Sequence, residues 1–375
     1  MLLVGFFTSA SAQNQFNTPF FWLSEAKFAL DKGDTISAKA AIEKSVSANL
    51  FDVAAVLSNK KLSGLLHGEF GRHVLSGIHE NRRKLQDPES LEVITSDIDL
   101  FWNSFDSGAI SAQDLNSEYI AKGSPGLQTF FQVRMRNNTD NLSKALSDKK
   151  SFYASIRKAS IGMKDLKPEF VRAAKSLKAL YPEAVFPPVY FLMGSLNNVG
   201  TPDGLGGMLI GTEHLCLTPQ TDLSALSDFE KTIVFDKSLV VPIVLHEYVH
   251  MQQKNAPEET LLDYAIMEGV ADFITYRITS RYTNPDVFAY GFEHEAAIWE
   301  KFRSEMNGDN LDSWLFNSKD EKTGVPANLA YFVGFRICEA YYGKASDKKT
   351  AISDLMEIRD FKKILESSGY NGKRS

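Results

Sequence analysis

Two histidines and a glutamate occur together in His246-Glu247-Tyr248-Val249-His250. On a helix, side chains four positions apart project from one face, so both imidazoles can reach a single ion. Neutral imidazole is a favoured zinc ligand. Glu247 follows the first histidine directly and leans to the same side, where it can take a proton from a metal-bound water. Residue frequencies alone produce this spacing in roughly one chain in a hundred of this length, so the surroundings must decide. Leu239, Val240, Val241, Ile243, Val244, Leu245, Val249 and Met251 make the segment apolar nearly all round, the pattern of a buried central helix. Ionisable groups in such a helix need partners, and a metal ion is the simplest common one.

A third ligand stands at a sensible distance. Pro257-Glu258-Glu259 predicts the start of a second helix, with proline in its first turn and acids at the positive end of its dipole. That helix continues through Met267 to Ile274, and Glu268 and Asp272 share one of its faces. Gly269 removes bulk beside Glu268, which predicts close approach to the first helix. Glu268 is therefore the expected third ligand, and Asp272 the acceptor for the free N–H of a metal-bound imidazole. The implied cofactor is one Zn2+ per chain, held by His246, His250 and Glu268.

His246-Glu247-x-x-His250 followed by Glu268-x-x-x-Asp272 resembles the gluzincin metallopeptidases, of which thermolysin is the familiar member. A looser similarity to predicted zinc-dependent proteases of bacteria rests on Tyr190-Phe191-Leu192-Met193-Gly194, on Gly206 to Gly211, and on Gly334-Phe335-Arg336-Ile337. Together the similarities cover about residues 183 to 345. The resemblance implies zinc-dependent hydrolysis of peptide bonds, with Glu247 as general base on a metal-activated water and a peptide or protein as substrate. It also implies an edge strand that pairs with an extended substrate, for which Met208, Leu209 and Ile210 are candidates; their flanking glycines fit a tight hairpin equally well. A further donor should steady the oxyanion, and Tyr331 is preferred among Tyr331, Tyr290, His294, His214 and Arg336. Two other readings stand beside this one. They are a non-catalytic exported scaffold that retains the zincin fold, and a zinc hydrolase of a non-peptide amide.

The elements that must position these residues follow from periodicity. From Phe20 to about Tyr181 the pattern is helical, with Lys32-Gly33-Asp34 read as a turn between two helices. Amphipathic runs then cover Leu91 to Phe105, Leu127 to Met135 and Phe152 to Leu180. His67, His73 and His79 are spaced by six and share no helical face. Past Phe186-Pro187-Pro188, Val189 to Met193 and Met208 to Ile210 read as short strands, and from about Leu239 the chain is helical again. The expected fold is mainly α with a small β-sheet (α+β), comprising a zincin-like catalytic region at 183–370 and a helical N-terminal region at 13–182.

Leu2 to Phe7 is apolar, and Ser9-Ala10-Ser11-Ala12 supplies small residues ahead of Gln13. Residues 1–12 therefore read as a secretory signal peptide without the usual basic start, and the protein as exported, periplasmic or secreted. No cysteine lies near that junction to carry a lipid. With 43% hydrophobic and 23% charged residues, the 375-residue chain has an ordinary globular composition. Its net charge of −6 gives no basic footprint for nucleic acid, and no further stretch is long and apolar enough for a membrane span. Cys216 and Cys338 sit far apart in apolar stretches and offer neither a thiolate metal site nor a redox motif.

Overall fold

Local signals shape the first helices. Pro19–Asp31 and Thr35–Ser47 form an antiparallel pair, and Gly33 turns the chain between them at φ 78°, a left-handed conformation that glycine adopts without strain. The Asp34 carboxylate then caps the second helix, accepting from the Ser37 N–H at 2.9 Å. Together with Gly68–Lys84 these helices enclose a small core of Leu23, Ala26, Ile42, Val56, Val74 and Ile78. The computed structural model describes residues 16–373 apart from 198–199, 204–205, 316 and 318–323. The signal-peptide expectation for residues 1–12 lies outside the described residues.

A second and larger core runs from Leu91 to Tyr370. It passes through the division expected at 182/183, because residues from the N-terminal half reach across to the sheet. The Tyr119 hydroxyl donates to the Met193 carbonyl at 3.0 Å and accepts from the Met193 N–H at 2.8 Å. The Tyr153 hydroxyl donates to the Gly194 carbonyl at 2.7 Å. The cores thus divide the chain near residue 84, and helices from the N-terminal half help to build the scaffold around the sheet.

The fold is mainly α with a small sheet, as the periodicity implied. Four strands lie in the order β1–β2–β4–β3, where β1 is Val93–Ile94, β2 Val189–Leu192, β3 Gly200–Asp203 and β4 Gly207–Gly211. β1, β2 and β4 are parallel, with Phe191 opposite Ile210, and β3 returns antiparallel to β4 with Gly200 opposite Ile210. β2 and β4 are buried along their whole length, which suits their unbroken apolar sequences. Helices Pro125–Val133 and Val240–Gln252 both pack against β4.

Some element boundaries differ from those expected. The run from Leu91 divides into β1 and the helix Ser96–Ser107. The run from Phe152 breaks at a 3-10 turn, Gly162–Leu166, beyond which Pro168 opens the helix Lys167–Leu180. Cys216 and Cys338 are both buried free thiols, and burial raises the pKa of each. Among the described residues no helix is long and apolar enough to cross a membrane.

Candidate metal centre

The helix Val240–Gln252 is buried along most of its length, as its sequence required. The next helix begins later than expected, at Leu261 rather than around Pro257. Thr260 is the reason: its hydroxyl accepts from the Asp263 N–H at 3.3 Å, while Asp263 accepts from the Thr260 N–H at 2.9 Å. This reciprocal cap fixes the start of Leu261–Thr279 and leaves 257–259 in the connection. Gly269 does permit a close approach, but to the helix Leu329–Lys344 rather than to the one bearing the histidines. A Cβ on Gly269 would collide with the Gly334 backbone, and one on Gly334 with the Ala265 carbonyl.

These helices bring His246, His250 and Glu268 together, with ligand atoms within 4.8 Å of one another. His250 Nε2 lies 2.9 Å from His246 Nε2 and 3.0 Å from Glu268 Oε2, and His246 Nε2 lies 3.3 Å from the same oxygen. Each imidazole is held from behind. His246 Nδ1 lies 2.8 Å from Asp272 Oδ1, an oxygen that also accepts from the Thr283 hydroxyl at 2.6 Å. His250 Nδ1 lies 2.7 Å from Gln253 Oε1, and Gln253 Nε2 donates to the Met267 carbonyl at 2.9 Å.

The hydrogen-bond roles follow from these partners. A carboxylate can only accept, so His246 Nδ1 carries the proton. The Met267 carbonyl can also only accept, so the Gln253 amide must aim its nitrogen there and its oxygen at His250. His250 Nδ1 is therefore a donor as well. In neutral imidazoles both Nε2 lone pairs then face each other and the Glu268 carboxylate, so three acceptors converge without a proton between them. The ion pairs of Glu268 and Asp272 are with these histidines alone among the described residues. Only added protons or a cation can reconcile such a cluster.

The electrostatics of the bare cluster describe the protonated solution. Burial lowers the pKa of His246, but Asp272 and Glu268 outweigh it and hold the pKa well above the ordinary histidine range. Burial acts likewise on His250, and Glu268 again reverses it. Burial raises the pKa of Glu268, while the two imidazoles pull it far below the carboxylate range. The donor set, two imidazole nitrogens and one carboxylate oxygen with each ring braced by a hydrogen bond, also suits a zinc ion.

Other candidates fall nearby or elsewhere. Tyr331 stacks on His246 with ring centroids 6.0 Å apart and planes at 20°. Burial, followed by the charges of Glu268 and Asp272, raises the pKa of its phenol well above the ordinary tyrosine range. Glu247 lines a cleft with His246, Thr283, Asn284 and Tyr331. Gly200 of β3 lies close over it, where an added Cβ would stand 3.4 Å from Glu247 Cγ.

His214 is fully buried beyond β4, with Nδ1 2.8 Å from the Ile233 carbonyl. Arg336 is buried against Glu295. His294 sits at a kink in the helix Pro285–Glu305 with its ring edge on Tyr290. Met208, Leu209 and Ile210 cannot receive an added strand, because β4 is interior and paired on both sides. The edge positions belong to β1 and β3.

Sequence reasoning passed over Gln253 and Thr283. Gln253 stands three residues beyond His250, and that spacing was the available signal. Thr283 lies beyond the end of the helix that carries Asp272.

The family model of the gliding motility protein GldB matches residues 84–372. The chain belongs to that family. No curated protein and no solved structure matches it. The family is one of gliding motility lipoproteins, which corrects the gluzincin resemblance and with it the expectation of a peptidase or other hydrolase. Of the readings considered, the non-catalytic exported scaffold agrees with membership. The spacing misled for a physical reason: two histidines and a glutamate on adjoining helices specify where a cation can be held and not what the cation does. Membership also agrees with export to the cell envelope. The matched segment begins where the small N-terminal core ends and the large core starts.

Proposed function

We propose that this member of the GldB family is a non-catalytic, exported component of a gliding apparatus. In this reading one zinc ion at His246, His250 and Glu268 clamps two of its central helices, and the protein works on the periplasmic side of the envelope. The observation that carries the metal is the meeting of three acceptor atoms, His246 Nε2, His250 Nε2 and Glu268 Oε2, at 2.9 to 3.3 Å. Bound there, zinc would supply the missing positive charge and tie Val240–Gln252 to Leu261–Thr279. The Tyr331 ring over His246 and the Gly334–Gly269 contact behind it suit a rigid clamp.

The test is replacement of the chromosomal gene in a gliding host. Glu247→Gln should glide as wild type does and keep its zinc, since a scaffold needs no general base. Glu268→Gln should lose zinc, accumulate less and glide poorly. A Glu247→Gln strain that retains normal amounts of zinc-loaded protein yet cannot glide would overturn the non-catalytic reading.

A further inference from the structure

Gln253 holds a position that no simple capping role requires. Its backbone N–H closes the last turn of Val240–Gln252, reaching the Val249 and His250 carbonyls at 3.1 and 3.2 Å. Its side chain oxygen meets His250 Nδ1 at 2.7 Å, and its side chain nitrogen donates to the Met267 carbonyl at 2.9 Å. Met267 directly precedes Glu268. One amide therefore spans from the ring of the second ligand to the backbone that carries the third. Neighbouring Gln252 faces elsewhere and bonds both backbone groups of Val185 at 3.1 and 2.8 Å.

Resting on the metal reading above, we infer that Gln253 is the positioning residue for the His250–Glu268 half of the centre. It fixes the His250 tautomer so that Nε2 presents a lone pair, and it sets the spacing between that nitrogen and Glu268. The two halves are braced unequally. His246 is backed by the charged Asp272, itself held by Thr283, whereas His250 is backed by a neutral amide. An amide is the side chain suited to this strut, because it accepts from the imidazole and donates to a carbonyl at once. A carboxylate keeps only the first of these bonds, and an apolar residue keeps neither.

The experiment measures zinc affinity of the full chain by chelator competition, for wild type, Gln253→Leu and Gln253→Glu. Loss of a group that orients a metal-bound histidine weakens binding about 10- to 100-fold, and Gln253→Leu should fall in that range. Gln253→Glu retains the acceptor and should recover most of the affinity. In zinc-loaded protein the His250 Nδ1 proton should exchange slowly in wild type and Gln253→Glu, and rapidly in Gln253→Leu. Melting of the zinc-free proteins separates a general packing loss from a loss at the centre. Equal affinity in wild type and Gln253→Leu, or equal weakening by both substitutions, would overturn this role while leaving the metal reading intact. A wild type that takes up no zinc would overturn both.

Discussion

Two groups of charged side chains are buried in the same helical body, and they reach neutrality in different ways. In one, Arg336 donates through Nε to Glu295 Oε1 at 2.7 Å, the Tyr370 hydroxyl donates to the same oxygen at 2.8 Å, and Glu339 pairs with the other end of the guanidinium. Arg336 is 4% exposed and Glu295 8%. In the other, His246, Glu268 and Asp272 are buried to a similar degree, and no arginine or lysine joins them among the described residues. The first cluster contains its own cation. The second has no permanent cation among the described residues, and its two histidines are each braced through Nδ1 with both Nε2 atoms turned toward Glu268. A buried carboxylate must be answered by positive charge from within the chain or from outside it.

The largest expected effect breaks the self-sufficient cluster. Arg336→Met leaves Glu295 buried without its cation and should destabilise the fold by about 3–5 kcal/mol in denaturant titrations, as loss of one partner of a buried pair does. Its zinc content should stay that of wild type, because Arg336 touches none of the ligands. Withdrawing the ion from the other cluster acts next. With free zinc at a hundred times its Kd, a chelator should remove about 2.7 kcal/mol of stability, read as a lowered melting temperature that added zinc restores. Glu268→Gln should show no such response. The smallest effect sharpens the comparison through the helix that carries Arg336 and stacks Tyr331 on His246. Gly334→Ala should cost about 1–3 kcal/mol, the usual range for overpacking, because its Cβ would collide with the Ala265 carbonyl. It should also weaken zinc binding by displacing the helix that carries Glu268.

Local rules exposed the parts of this centre that lie along single helices. The apolar run around His246 required a buried helix, and spacing alone aligned His246 with His250 and Glu268 with Asp272. Contacts between distant segments stayed hidden. Gly269 signalled a close approach without revealing that its partner was Gly334. β3 is a four-residue strand containing glycine and proline, and β1 has only two residues, so neither carries a strand period. The large core crosses the division expected at 182/183, where Tyr119 and Tyr153 bond to the backbone after β2, contacts without a local signature. Gln253 was overlooked because a glutamine at a helix end usually faces water, and its role depends on Met267 lying opposite. Function was the least legible. Two histidines and a glutamate so placed suit a catalyst or a clamp, and family membership, not spacing, set the peptidase expectation aside.

The central claim is that the buried acceptors of His246, His250 and Glu268 hold a cation as Arg336 serves Glu295. Elemental analysis of full-length wild type and Glu268→Gln, each dialysed against trace zinc and then zinc-free buffer, tests it most directly. The account predicts about one zinc per chain in wild type, as expected of a two-histidine, one-glutamate site, and almost none in Glu268→Gln. Folded wild type that retains no metal, and whose melting temperature ignores both zinc and chelator, would contradict it.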